Sequence, residues 1–169
     1  MRSAIHDGDP VLFLEHKKAY RLIRDEMPEN GHVVPIGKAR IARPGEHVTI
    51  TAFSRMVQFA MEAAEALQGE GISAEVIDLR TLRPLDIETI VNSVQKTNRI
   101  VSVEEGWAYS GIGAEIAAQM MEQAFDYLDA PVHRVTAKDV PLPYAANLER
   151  MALPQTADIV AAAKAVLYR

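Results

Sequence analysis

The chain has 169 residues, 49% of them hydrophobic, a formal net charge of −5 and no cysteine. That length suits one domain, or one domain with a fragment of another, and the hydrophobic share is enough to bury a proper core. The negative balance excludes a general affinity for nucleic-acid backbones or anionic membranes. The missing cysteine excludes disulfides, thiolate metal sites and cysteine catalysis, as expected in a reducing, intracellular setting. No apolar run is long enough to span a bilayer, and the first seven residues contain no signal-peptide core.

In chain order, Pro10-Val-Leu-Phe-Leu14 reads as a strand, apolar on both faces. One strand with nothing to pair with cannot be a domain, so residues 1–35 are expected to be the tail of something upstream plus a linker. Its unpaired apolar edge predicts a dimeric, swapped or frayed amino terminus. The basic stretch His16-Lys-Lys-Ala-Tyr-Arg21 reads as a solvated face, followed by Leu22, Ile23, the breaker Pro28 and a turn at Glu29-Asn-Gly31.

From there strands and helices alternate. Lys38-Ala-Arg-Ile-Ala42 has the polar–apolar alternation of an edge strand, and Val48-Thr-Ile-Thr-Ala-Phe53 is a continuous β-rich run. A helical stripe of Val57, Ala60, Met61, Ala64 and Leu67 follows, with Ser54 as the expected N-cap and Gly69 and Gly71 ending it. Ala74-Glu-Val-Ile-Asp-Leu79 is the next strand, and Asp86 is placed to cap a helix bearing Ile87, Ile90, Val91 and Val94. The hub is residues 99–116: a short apolar strand from Ile100 to Val103, the carboxylates Glu104 and Glu105, and glycines at 106, 111 and 113. A helix expected to reach about Leu128 follows. Pro131-Val-His-Arg-Val135 is a fifth strand, Pro141-Leu-Pro-Tyr144 a rigid connector, and residues 157–167 the last helix, with Ile159, Ala163, Val166 and Leu167 on one face. This order argues for a mainly parallel sheet with helices on both faces.

The motifs exclude more than they establish. Gly111-Ile-Gly113 begins a dinucleotide-type loop, but Ile116 occupies the third glycine position and the downstream acidic residue is missing. There is no P-loop and no Gly-x-Ser-x-Gly elbow, and the five histidines show no ligand spacing. Adjacent strand residues point to opposite faces, so Glu104 and Glu105 do not converge on one substrate atom. One is expected to accept the glycine-loop amides and the other to be solvated. Trp107 and Tyr109 read either as a contact surface or, for Trp107, as core.

Taken together, Val34-Pro-Ile-Gly-Lys-Ala-Arg40, Glu75-Val-Ile-Asp-Leu-Arg-Thr-Leu-Arg-Pro-Leu-Asp86, Val103-Glu-Glu-Gly-Trp107, Gly113-Ala-Glu-Ile116, Phe125-Asp-Tyr-Leu-Asp-Ala-Pro131 and Lys138-Asp-Val-Pro-Leu-Pro-Tyr-Ala145 carry a family likeness. They resemble the C-terminal half of the β subunits of 2-oxo acid dehydrogenase E1 components, on the pyruvate dehydrogenase branch. His16-Lys-Lys-Ala-Tyr-Arg21 is also similar to some branched-chain enzymes. For residues 36–169 the resemblance implies a transketolase C-terminal-like domain: three α/β/α layers and a five-stranded, mostly parallel sheet. Its first strand would be an antiparallel edge, and its second would lie between the third and fourth.

The resemblance further implies part of an α2β2 enzyme that decarboxylates pyruvate on thiamine diphosphate with magnesium and passes the acetyl group to a lipoyl carrier. Its partners would be the E1 α subunit, a second E1 β subunit and the subunit-binding domain of the dihydrolipoyl acetyltransferase (E2). It would work in the cytoplasm of a bacterium or the mitochondrial matrix of a eukaryote. The catalytic and cofactor-binding residues of such enzymes match no position here, so the fragment alone is expected to be inactive. Two sets of residues do match. Oxygens of Ala4, Ile5, Asp7 and Asp9 correspond to part of a structural potassium site, and Asp129 and the terminal carboxylate on Arg169 to the docking surface for the acetyltransferase core. Asp129 also reads as a turn residue before Ala130-Pro131.

Overall fold

The computed structural model describes residues 1–22, 26 and 31–169; Ile23, Pro28, Glu29 and Asn30, expected as breaker and turn, lie outside the described residues. Five strands form one sheet: β1 (Arg40–Arg43), β2 (Val48–Ala52), β3 (Ala74–Asp78), β4 (Ile100–Trp107) and β5 (His133–Ala137). The order across the sheet is β1-β3-β2-β4-β5, with β1 antiparallel to β3 and every other pair parallel. The helices are α1 (Arg2–His6), α2 (Ala19–Leu22), α3 (Met56–Gly69), α4 (Ile87–Thr97), α5 (Ile112–Gln123), α6 (Ala146–Ala152) and α7 (Thr156–Val166).

The burial pattern explains the order. All five residues of β2 are buried, as a central strand covered on both faces requires, whereas β1 begins with two exposed residues. Val48, Ile50, Val76 and Val101 pack against Ala60, Ala64 and Leu67 of α3 and Ile159 and Ala163 of α7. On the opposite face Ile77 and Ile100 pack with Ile90 and Val94 of α4 and Ile116 and Met120 of α5. Each fully buried Ile, Leu or Val contributes roughly 1.5–3 kcal/mol. The α4 face also hides hydroxyls: Thr49 Oγ1 lies 2.6 Å from Ser93 Oγ and 2.7 Å from Thr97 Oγ1, so these buried groups satisfy one another.

Turn chemistry fixes the connections. Gly45 approaches the neighbouring backbone so closely that a Cβ there would sit 2.2 Å from the Ala74 carbonyl carbon and the Glu75 nitrogen. Asp86 caps α4 as expected, taking the Thr89 amide at 3.4 Å and hydroxyl at 2.9 Å, and it also holds the Ala39 amide at 3.0 Å ahead of β1. Burial pushes the Asp86 carboxyl upward, but these donors, with Lys38 nearby, outweigh it and hold the group below the usual aspartate range.

The structure corrects several expectations: β4 runs on to Trp107, so Glu104 and Glu105 lie within the strand, and β5 spans His133–Ala137 rather than 131–135. Residues 10–14 form no strand and run irregularly, with Leu12 and Leu14 exposed; none of the five described strands pairs with them. Ser54 does not cap α3: it sits at φ 55°, and the first α3 amides bond instead to the carbonyls of Phe53, Ser54 and Arg55. The helix after the glycine loop stops at Gln123, because Ala124 leaves helical geometry at φ −137°. A single 3-10 turn, Phe125–Tyr127, follows, with Phe125 exposed. Helix α6 was not anticipated; it is short, and of its apolar positions Leu148, Met151 and Ala152 only Ala152 is buried.

Candidate functional site

The chain leaves β2 toward β3 on one side and, after α4, returns to β4 on the other. The carboxyl ends of β2 and β4 therefore flank the point where strand order reverses, the usual place for ligands and partners in an open α/β sheet. The Ser54-Arg55 turn and the end of β4 form its two sides.

Glu104 is buried beneath the glycine loop. Its Oε2 accepts the Ile112 amide at 3.0 Å and its Oε1 the Gly113 amide at 3.1 Å, where α5 begins. A carboxylate at a helix start is favoured by both the free amides and the helix dipole. The glycines follow from this contact. A Cβ at Gly111 would meet the Glu104 carboxylate at 2.5 Å, and one at Gly113 would meet Glu104, Arg134 and Ser102 at about 3 Å. Arg134 Nη2 lies 3.6 Å from Glu104 Oε1 and donates to the Ala108 carbonyl, so it braces the loop from β5.

Glu105 faces the other way, and here the expectation of a solvated carboxylate is corrected. Its Oε2 lies 2.9 Å from His16 Nε2 and its Oε1 3.4 Å from Arg55 Nη1. The His16 Nδ1 accepts the Lys18 amide at 3.2 Å, leaving Nε2 to donate to Glu105. Arg55 lies over the Phe59 ring at 4.9 Å. Lys18 Nζ reaches Glu149 of α6 at 2.7 Å, and this pairing holds the Glu149 carboxyl below its ordinary range. The basic stretch at 16–21 is thus partly a clip across the crevice; its spacing carried no signal of partners 89 and 131 positions away. Trp107 and Tyr109 are 52% and 86% exposed, which places them on the surface rather than in the core.

At the opposite end of the sheet, Asp129 Oδ2 pairs with Arg99 Nη2 at 3.0 Å, and the Asp129 carbonyl accepts the Tyr168 hydroxyl at 3.1 Å. Tyr168, the neighbour of Arg169, is thus tied to Asp129. Nearby in the sheet, buried Glu75 accepts Lys96 Nζ at 2.5 Å and the Gly45 amide at 3.2 Å. Burial drives the Glu75 carboxyl upward, but Lys96, Ser93 and the Gly45 amide together hold it below the ordinary glutamate range. Asp78, at the end of β3, is raised by burial despite Arg40 and Arg80.

Ala4 and Ile5 lie in the last turn of α1, and Asp7 Oδ1 accepts the Asp9 amide at 3.0 Å. Among the described residues no group of three or more histidine, aspartate or glutamate side chains is arranged to hold a metal ion. No helix among them is long and apolar enough to cross a membrane.

The family model of the transketolase C-terminal domain matches residues 37–159. Over 172 aligned residues the chain is 58% identical to the mitochondrial pyruvate dehydrogenase E1 component subunit beta of Dictyostelium discoideum, covering 100% of this chain and 48% of that protein. It is 54% identical over 168 residues to the pyruvate dehydrogenase E1 component subunit beta of Rickettsia bellii, covering 99% of this chain and 51% of that protein. The chain thus spans about half the length of the curated relatives it matches. Their names do not favour the branched-chain reading. Among solved structures, one described as split gene transketolase, inactive beta4 tetramer, superposes with a TM-score of 0.73 at 30% identity, over 85% of this chain and 46% of that one.

Proposed function

We propose, from the premise that this chain belongs to the transketolase C-terminal domain family, that it is the C-terminal domain of the β subunit of a pyruvate dehydrogenase E1 component. Its work is assembly and docking. Bond-making on pyruvate belongs to the rest of the enzyme, and residues 1–35 are the tail of the preceding pyrimidine-binding domain with its linker. The observation that carries the reading is the 58% identity running over the whole chain. The geometry of the crevice supports it: Glu104 is committed to backbone amides, and Glu105 to His16 and Arg55. Thiamine diphosphate, when bound in such an enzyme, would supply the electron sink that decarboxylation of a 2-oxo acid needs. In this reading the cofactor and its magnesium are held by the α subunit and the upstream part of the β subunit.

The partners are the E1 α subunit, a second β subunit and the subunit-binding domain of the acetyltransferase, in a bacterial cytoplasm or a mitochondrial matrix. Docking of that last domain falls to the surface of Asp129 and Arg169, where a carboxylate on a solvent-facing turn suits a basic helix. The test is calorimetric titration of the purified subunit-binding domain into this chain and into its Asp129→Lys variant, with circular dichroism to confirm folding. Binding weakened by at least about tenfold supports the placement, and equal affinity for a folded variant refutes it.

Ala4, Ile5, Asp7 and Asp9 contribute part of a structural potassium site. The carbonyls of the last turn of α1 lack partners further along that helix, and the two aspartates follow at once. Potassium-specific thermal stabilisation over sodium should appear once the upstream half is supplied in trans, and identical melting in both salts would remove the assignment.

A further inference from the structure

Among the described residues β5 is the last strand of the sheet, and no described strand lies beside its outer edge. Next to that edge lies a groove of about 660 Å³, walled by β5 on one side and by α6, its connection to α7 and α7 itself from Asp158 to Ala165 on the other. The floor is apolar and small, with Ala161, Ala162 and Ala165 of α7 facing Val135. The far wall is built rather than loose. The Gln155 side-chain nitrogen donates to the carbonyls of Arg150, Leu153 and Pro154 at 3.2, 2.9 and 3.0 Å, and the Lys138 amide bonds the Ala152 carbonyl at 2.9 Å.

The charge of this groove opposes that of the chain. Lys138 and Arg150 line it, and neither forms an ion pair among the described residues, although the chain carries a net charge of −5. The acidic group in the lining, Asp158, is turned back onto the start of α7, where its Oδ2 accepts the Gln155 amide at 2.8 Å. Two unpaired cations beside an open strand edge and an apolar floor are what an extended acidic segment requires: backbone pairing, small side-chain pockets and opposite charge.

A second copy fits less well. Antiparallel pairing of β5 with itself about Thr136 would set Arg134 opposite Lys138, and like charges directly opposed are unfavourable. We propose that the β5 edge with the α6–α7 connection is a docking groove for an extended, acidic segment of a partner protein. This surface is distinct from the Asp129 surface and opposite in charge preference.

The probe is a fluorescein-labelled hexapeptide alternating glutamate and valine, titrated by fluorescence anisotropy into the full 169-residue chain. Controls are the lysine–valine counterpart and an acidic peptide N-methylated on alternate amides. Saturable binding of the acidic peptide alone is expected, weakened on N-methylation and falling with added salt. The Lys138→Glu/Arg150→Glu double variant should lose about tenfold or more in affinity, and the milder Lys138→Gln/Arg150→Gln pair an intermediate amount. Circular dichroism confirms folding of each, and the milder pair serves if the reversal fails to fold. Equal binding of both peptides, no saturable binding, or unchanged affinity in a folded variant overturns the proposal. So does a peptide-free dimer in sedimentation that the double variant strengthens, since that would give the edge to a second copy.

Discussion

Two regions meet at adjacent residues of β4 and are held by different means. Around Glu104 the partners are backbone amides and a neighbouring strand, the carboxylate is 3% exposed, and two glycines are required merely to leave room for it. Around Glu105 the partners are the ends of His16 and Arg55, all partly exposed, and one of them arrives from the amino-terminal segment outside the sheet. The first arrangement loses little entropy on forming, since helix and strand are already fixed. The second must order long side chains and is screened by water. The residue type is therefore a poor guide to a carboxylate's energetic weight; what it binds and how far that partner is already ordered decide it.

The sharpest way to break this contrast is Glu104→Ala. It strands the Ile112 and Gly113 amides and leaves Arg134 facing a void, so a loss of about 3 kcal/mol in urea unfolding is expected. A loss below 1 kcal/mol would put the two glutamates in one class.

Glu75 extends the comparison to pH. Its folded pKa lies below the ordinary value, so its contribution is complete above the unfolded glutamate pKa and is lost as pH falls through the depressed folded one. Asp78 works in the opposite sense, since its raised pKa relieves a penalty on acidification. Lys96→Met should lower neutral-pH stability by roughly 1–2 kcal/mol, discounted because the lysine is half exposed, and should flatten the acid limb of a stability–pH series. An unaltered acid limb would mean that the Gly45 amide and Ser93 alone set this carboxyl.

The smallest effect belongs to Glu105. A double-mutant cycle of His16→Ala and Glu105→Ala should give a coupling of about 0.5 kcal/mol at neutral pH. Amide exchange in residues 16–21 should rise in both single variants. Coupling above 2 kcal/mol would make the clip as rigid as the glycine cradle.

The sequence made the sheet legible because its signals were local. Val48 to Phe53 is continuous and β-rich, as a central strand must be, and Asp86 stands one residue before an apolar stripe. The amide-binding role expected of one of the two glutamates was legible too, from glycines seven and nine residues after Glu104. What escaped reading depended on distance or on tertiary company. The partners of Glu105 come from positions 16 and 55, far apart in the chain. Helix α6 is under two turns long, so Leu148, Met151 and Ala152 give its period too few repeats to stand out. The run at 10–14 has strand composition, but strand structure needs a neighbour, which composition does not encode.

The most direct test of the central claim is pyruvate-dependent reductive acetylation of a lipoyl domain, with thiamine diphosphate and magnesium supplied throughout. The account predicts no turnover from the 169-residue chain alone, and turnover when the upstream half of a β subunit and the α subunit are added. Acetylated lipoyl domain from this chain by itself would contradict it.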